Sequence, residues 1–143
     1  MNTSTEPQML MRATTLAYLA AFVFHNADHA RRGVDATPEA VVWAGTLVAM
    51  LTAVVATLVF TRHQLASRVA AICGLAIALG VSFAHLMPIE SALTDPLTAD
   101  GINAVSWIAV LSEIVLALML AFVGWRGMRA STLGGAPRVR RTP

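Results

Sequence analysis

One short segment of the chain has residue types and spacing that suit a metal site: His25-Asn26-Ala27-Asp28-His29. Histidines at i and i+4 project from one face of an α-helix and can bind a single ion, with Asp28 as a further ligand or as the group that orients an imidazole. The segment departs from the zinc-protease pattern, which needs Glu directly after the first His where this chain has Asn26, and from standard haem-attachment patterns. A structural role competes with this chemistry, because His29, Arg31 and Arg32 also complement the negative end of a helix.

Two further residues carry chemical potential. His85 stands alone between Ala84 and Leu86 in an apolar stretch, and paired histidines across a helical bundle can ligate haem iron or hold a transition metal such as zinc or copper. His25 and His85 are therefore the candidate cofactor ligands, and His25, His29, His85 and Asp28 the candidate metal set. Glu113 lies inside an otherwise uncharged run. An acid at a helix centre in lipid costs about 2.5–3.5 kcal/mol on insertion scales, so it marks either a proton relay or a structural hydrogen bond, for which Thr46, Ser106 and Ser112 are the candidate partners. His63 and Cys73 have no partners in sequence, and the scattered methionines form no thioether run. There is no phosphate-binding glycine loop and no basic-aromatic surface for nucleic acid.

The elements that must position these residues are membrane helices. Of 143 residues, 57% are apolar and 13% charged, about half the charge of an ordinary soluble domain. A single cysteine excludes an internal disulfide. Four segments approach the roughly 20 residues needed to cross hydrocarbon, and helices are expected over about 9–30, 38–60, 67–87 and 101–125. The first is the weakest: only 15 uncharged residues separate Arg12 from Asp28, and it needs arginine snorkelling and shelter by its neighbours. A cleaved signal peptide is the competing reading there, against which Glu6 counts. Thr37-Pro38-Glu39 has the composition of a helix start with Thr37 as cap. Pro88 ends the third helix, Thr94-Asp95-Pro96 reads as a turn, and Asp100 or Asn103 caps the fourth.

All ten basic residues are arginines. Arg12, Arg62, Arg68, Arg126, Arg129, Arg138, Arg140 and Arg141 fall on one side of a four-span topology and only Arg31 and Arg32 on the other, so both termini are expected in the cytoplasm. The expected protein is an all-α, multi-pass protein of the cell membrane: a transmembrane domain over 1–125 and a basic, disordered cytoplasmic tail over 126–143.

Helical periodicity assigns the inward faces. They are Thr14, Tyr18, Ala21, His25 and His29, with Asp28 at the margin, on the first helix, and Thr46, Met50, Ala53 and Thr57 on the second. On the third they are Ala66, Ala70, Gly74, Ala78, Ser82 and His85, and on the fourth Ser106, Ala109, Glu113, Ala117 and Gly124. Short loops favour an up-down-up-down bundle with the first and third helices diagonal, which sets His25 opposite His85. The outer half then collects His25, Asp28, His29, His85 and Glu90, with Glu113 nearer the midplane. Three functional classes remain. The leading one is a non-enzymatic accessory or assembly subunit of a larger membrane complex. The second is a haem- or metal-binding membrane protein using His25 and His85. The third is a proton-coupled carrier or lipid-processing protein that depends on Glu113 and forms a homo-oligomer.

Overall fold

A computed structural model describes residues 6–33, 37–89 and 91–134, with side chains described to residue 130. It contains four helices: α1 (Glu6–Arg32), α2 (Glu39–Phe60), α3 (Ala66–Leu86) and α4 (Ala104–Gly134). The last three are long and apolar enough to cross a membrane by length and composition; α1, with charged residues at both ends, does not reach that threshold. Glu90 and Asp35 lie outside the described residues, as does the tail from 135. Where the sequence suggested that the helix stops at about 125, α4 runs on to Gly134. The arginines at 126 and 129 mark a change in polarity, not a break in the backbone, and each guanidinium stacks over the aromatic ring one turn before it, Phe122 or Trp125.

The ends of the helices follow local chemistry. Gly33, with φ +96°, takes the left-handed conformation just past the end of α1. At the end of α2 the His63 amide donates to the Leu58 carbonyl and the Arg62 amide to the Val59 carbonyl, a Schellman motif that places a non-glycine residue, Arg62, at φ 57°. Pro88 stops α3 as expected, and Met87 before it is extended. The orphan carbonyls of Ala84 and His85 accept from the amides of Asp95 (2.8 Å) and Leu97 (2.9 Å), so the returning loop, not solvent, completes the last turn of α3. Asn103 caps α4 by accepting from the Val105 amide at 2.9 Å. Thr37 does not cap α2, contrary to expectation; α2 starts without a side-chain cap, and the Thr37 hydroxyl is used elsewhere.

Each helix packs against its neighbours in sequence, and α4 closes the bundle against α1; among the described residues α1 and α3 make no close backbone approach, nor do α2 and α4. The tightest seam is α3 against α4. A Cβ added at Gly74 would lie 2.7 Å from the Ala117 carbonyl oxygen and the Ala121 nitrogen, and one at Gly124 would lie 2.6 Å from the Ala71 nitrogen. The small-residue stripe therefore brings backbones together and leaves no slot for a flat group along that seam. The inward faces inferred for α1, α3 and α4 match the buried residues, whereas that of α2 does not. Thr52, Val55 and Val59 turn inward, while Thr46, Met50, Ala53 and Thr57 are exposed. Thr46 satisfies its hydroxyl by donating to the Val42 carbonyl one turn back, so it has no need of a partner in the bundle.

Candidate metal centre

Three histidines meet at one end of the bundle. His25 and His29, one turn apart on α1, have ring centroids 4.8 Å apart. His85 on α3 closes the triangle at 4.8 Å from His25 and 5.4 Å from His29. One ring nitrogen from each lies within 4.8 Å of the other two, with His25 and His85 buried and His29 partly so. The diagonal pairing of His25 with His85 that periodicity indicated is thus present, and His29 completes a trio.

Each ring is held from behind. The Glu113 carboxylate, on α4, bonds His25 Nδ1 and is itself almost fully buried. His85 Nδ1–H donates to the Asp95 carbonyl oxygen at 2.8 Å, which leaves its Nε2 as the lone-pair nitrogen. His29 Nδ1 lies 3.0 Å from the Thr37 hydroxyl and 2.9 Å from Arg32 Nη2. On the inner side, His25 Nε2 and His29 Nε2 face each other at 3.1 Å. Two lone pairs cannot sit so close without a cation between them. With Arg32 donating to His29 Nδ1, the His29 Nε2–H supplies a proton, and a hydrogen-bonded series runs from Arg32 through His29 and His25 to Glu113.

A metal ion is the other way to satisfy the pair. Bonds of about 2.0–2.1 Å from zinc to imidazole in a tetrahedral site place two ligating nitrogens about 3.4 Å apart, so the 3.1 Å pair already fits, and the third nitrogen, in a trio that spans up to 4.8 Å, must move in toward it. The His29 Nδ1–H would then donate to Thr37, and Arg32 Nη2, now facing it 2.9 Å away as a second donor, would give up that contact and keep its bond to the Asp95 carboxylate. Carboxylate and carbonyl partners behind the ligands are the usual means of fixing tautomer and orientation at such a centre, and Glu113 and Asp95 supply both. Haem fits poorly. Axial imidazoles must lie on opposite faces of the macrocycle, whereas His25 and His85 touch edge to face with no room for a porphyrin between them.

The remaining candidates are placed as follows. Asp28 is not brought into the trio. Its carboxylate accepts from Arg31 Nε (3.0 Å) and Nη2 (2.7 Å) and pairs with Arg32 Nε at 3.3 Å, which consumes its ligand capacity. Glu113 is not partnered by Thr46, Ser106 or Ser112, because Ser112 donates to the Ala109 carbonyl and Ser106 accepts from Arg31. Nor is its carboxylate well below the histidines in depth, since it reaches His25 directly.

The sequence reading missed Asp95 and Thr37, both in loops. Asp95 is buried; besides its carbonyl contact, its carboxylate accepts from Arg32 at 2.6 and 3.2 Å and lies 3.5 Å from His29 Nδ1. Arg32, itself largely buried, is thereby clamped between Asp28 and Asp95 and ties α1 to the segment before α4. The signal in sequence was charge balance, two arginines ending one helix and an acid in a loop that must return over them.

Beside the trio is a cavity of about 440 Å³ between α1, α2 and α3, with mainly apolar walls and with His25, His29, His85 and Glu113 on one side. Comparison of the chain with protein-family models, with curated proteins and with solved structures finds no match in any of the three.

Proposed function

We propose that this protein is a multi-pass membrane protein that binds one transition-metal ion through His25, His29 and His85, with Glu113 and Asp95 orienting the ligands. The observation that carries the reading is the convergence of three imidazoles from α1 and α3, each with its Nδ1 already engaged. Neutral imidazoles suit zinc or copper, and three ligands leave an open coordination position. The arginine distribution supports four spans with cytoplasmic termini, which puts the trio near the outer surface. In that placement α1 packs against α4 and α2 and carries its charges toward the interfaces.

Metal analysis of protein purified in mild detergent and reconstituted with zinc or copper tests the reading. About one equivalent is expected, lost in His25→Ala, His29→Ala and His85→Ala with helicity retained. A wild type that takes up neither metal refutes it. The hydrogen-bonded series from Arg32 to Glu113 favours a second reading, in which the same groups relay a proton. Proton flux through a metal-free wild type, abolished in Glu113→Gln, identifies that case. An accessory role in a larger complex is less favoured, because the small-residue stripe on α3 is taken up against α4 and the exposed apolar faces, Trp43, Leu47 and Met50 on α2 among them, are covered equally well by lipid.

A further inference from the structure

The cavity next to the histidines is large enough for a ligand, and its shape is specific. Its volume, about 440 Å³, falls in the range of small-molecule sites. Phe22, Val41, Val48 and Val81 supply apolar wall, and the three histidines, Glu113 and Thr37 supply most of the polar lining. The exposed lining residues are Asn26 and Ala30 on α1, Val42, Ala44 and Thr46 on α2, and Gly80 on α3. Gly80 is six residues from the end of α3 and Thr46 seven from the start of α2, or about 9–10 Å along helices that each cross the membrane. The part of the mouth at that depth faces hydrocarbon about 30 Å thick, so an acyl chain can enter from the bilayer.

Charge decides which end of such a molecule meets the histidines. A divalent ion on three neutral imidazoles, with the Glu113 carboxylate behind His25, leaves one net positive charge in a low-dielectric setting. An anionic oxygen in the open coordination position neutralises it. We infer that the cavity binds a single-chain lipid with a carboxylate head, a fatty acid, its head on the metal and its chain between α1, α2 and α3. This inference rests on the metal-binding reading above.

Two glycines offer a clean way to test it. Gly45 and Gly80 both line the cavity, and a Cβ added at either meets nothing within 4 Å. A side chain can therefore start from either position without meeting existing atoms, a phenylalanine adds its bulk at the cavity lining, and neither residue supplies a metal ligand. The probe is a fatty acid carrying a chain diazirine, photolysed with the zinc-loaded full-length protein in lipid nanodiscs, with labelled peptides mapped and zinc measured on the same sample. Labelling of the Val41–Val48 and Val81 regions is expected. Laurate should compete with it, and methyl laurate should not. In Gly45→Phe and Gly80→Phe zinc stays at one equivalent while labelling falls by at least about tenfold, because displacing two methylene groups of the chain already costs about that factor. Zinc bound with labelling absent, unchanged in both glycine variants, or equally competed by the ester overturns the inference and leaves the metal reading intact. A wild type that holds neither zinc nor copper overturns the metal reading itself, and labelling that persists in metal-free protein shows a chain site that does not use the metal, which also overturns the inference.

Discussion

Replacing Glu113 with glutamine separates a residue that orients a metal ligand from one that merely ties two helices together. The carboxylate bonds His25 Nδ1, and both groups are buried. Glutamine retains an acceptor oxygen of nearly the same reach, so the His25 N–H keeps a partner and the bundle keeps its packing; the charge that raises the basicity of the ring is lost. Partners of this kind typically contribute 10- to 100-fold to metal affinity, which corresponds to about 1.4–2.8 kcal/mol. Glu113→Gln should therefore weaken zinc binding by that factor with little change in thermal midpoint. Glu113→Ala also leaves a buried imidazole N–H unpaired, for a further cost of about 1–3 kcal/mol in fold stability. Competition against a chromophoric chelator in detergent, run beside thermal unfolding of the same samples, measures both. Zinc affinity unchanged in the two variants would refute the argument and reduce the His25–Glu113 contact to a helix tie.

Gly74→Leu drives a side chain into the backbone of α4, where no rotamer can yield; a loss at or above the upper end of about 1–3 kcal/mol is expected, read as a lower thermal midpoint, while Ala78→Gly should have a much smaller effect. Asp95→Ala removes the strongest partner of the buried Arg32 and leaves Asp28 to pair with it alone, so stability should drop by roughly 3 kcal/mol, the lower end for breaking a buried pair. Zinc binding should survive that change, because the Asp95 contact to His85 is made by the backbone carbonyl. Arg62→Gly relieves a positive φ and should stabilise the protein by about 1 kcal/mol, read as a higher thermal midpoint.

Much of this arrangement could be read from residue type and period. The apolar runs located α2, α3 and α4, and the polar stripe on α1 turned Tyr18, His25 and Asp28 inward. The i, i+4 spacing of His25 and His29, with a lone His85 on the diagonal helix, foretold where imidazoles would meet. Periodicity gives an angle around a helix but not its axial offset from a neighbour, so by itself it sets Glu113 nearer the midplane than His25 and offers it hydroxyl partners. It also gives weak guidance on α2, whose residues are nearly all apolar or small; there β-branched packing by Val55 and Val59 outweighs the small polar residues that marked the other face. Loops carry no period at all. Asp95 and Thr37 reach the site through chain reversal, and only the need to neutralise Arg32 and to complete the last turn of α3 hints at where they go.

The histidines are where α1 and α3 meet, two helices that otherwise have no close backbone approach. A ring of four helices joined only to neighbours can shear, each seam sliding a little, without any contact being lost outright. An ion held by His25, His29 and His85 would act as a diagonal brace across that ring. Loading it would stiffen the histidine end of the bundle far more than the added bonds alone imply, and the least apolar helix, α1, would be fixed in register by the metal concentration around it.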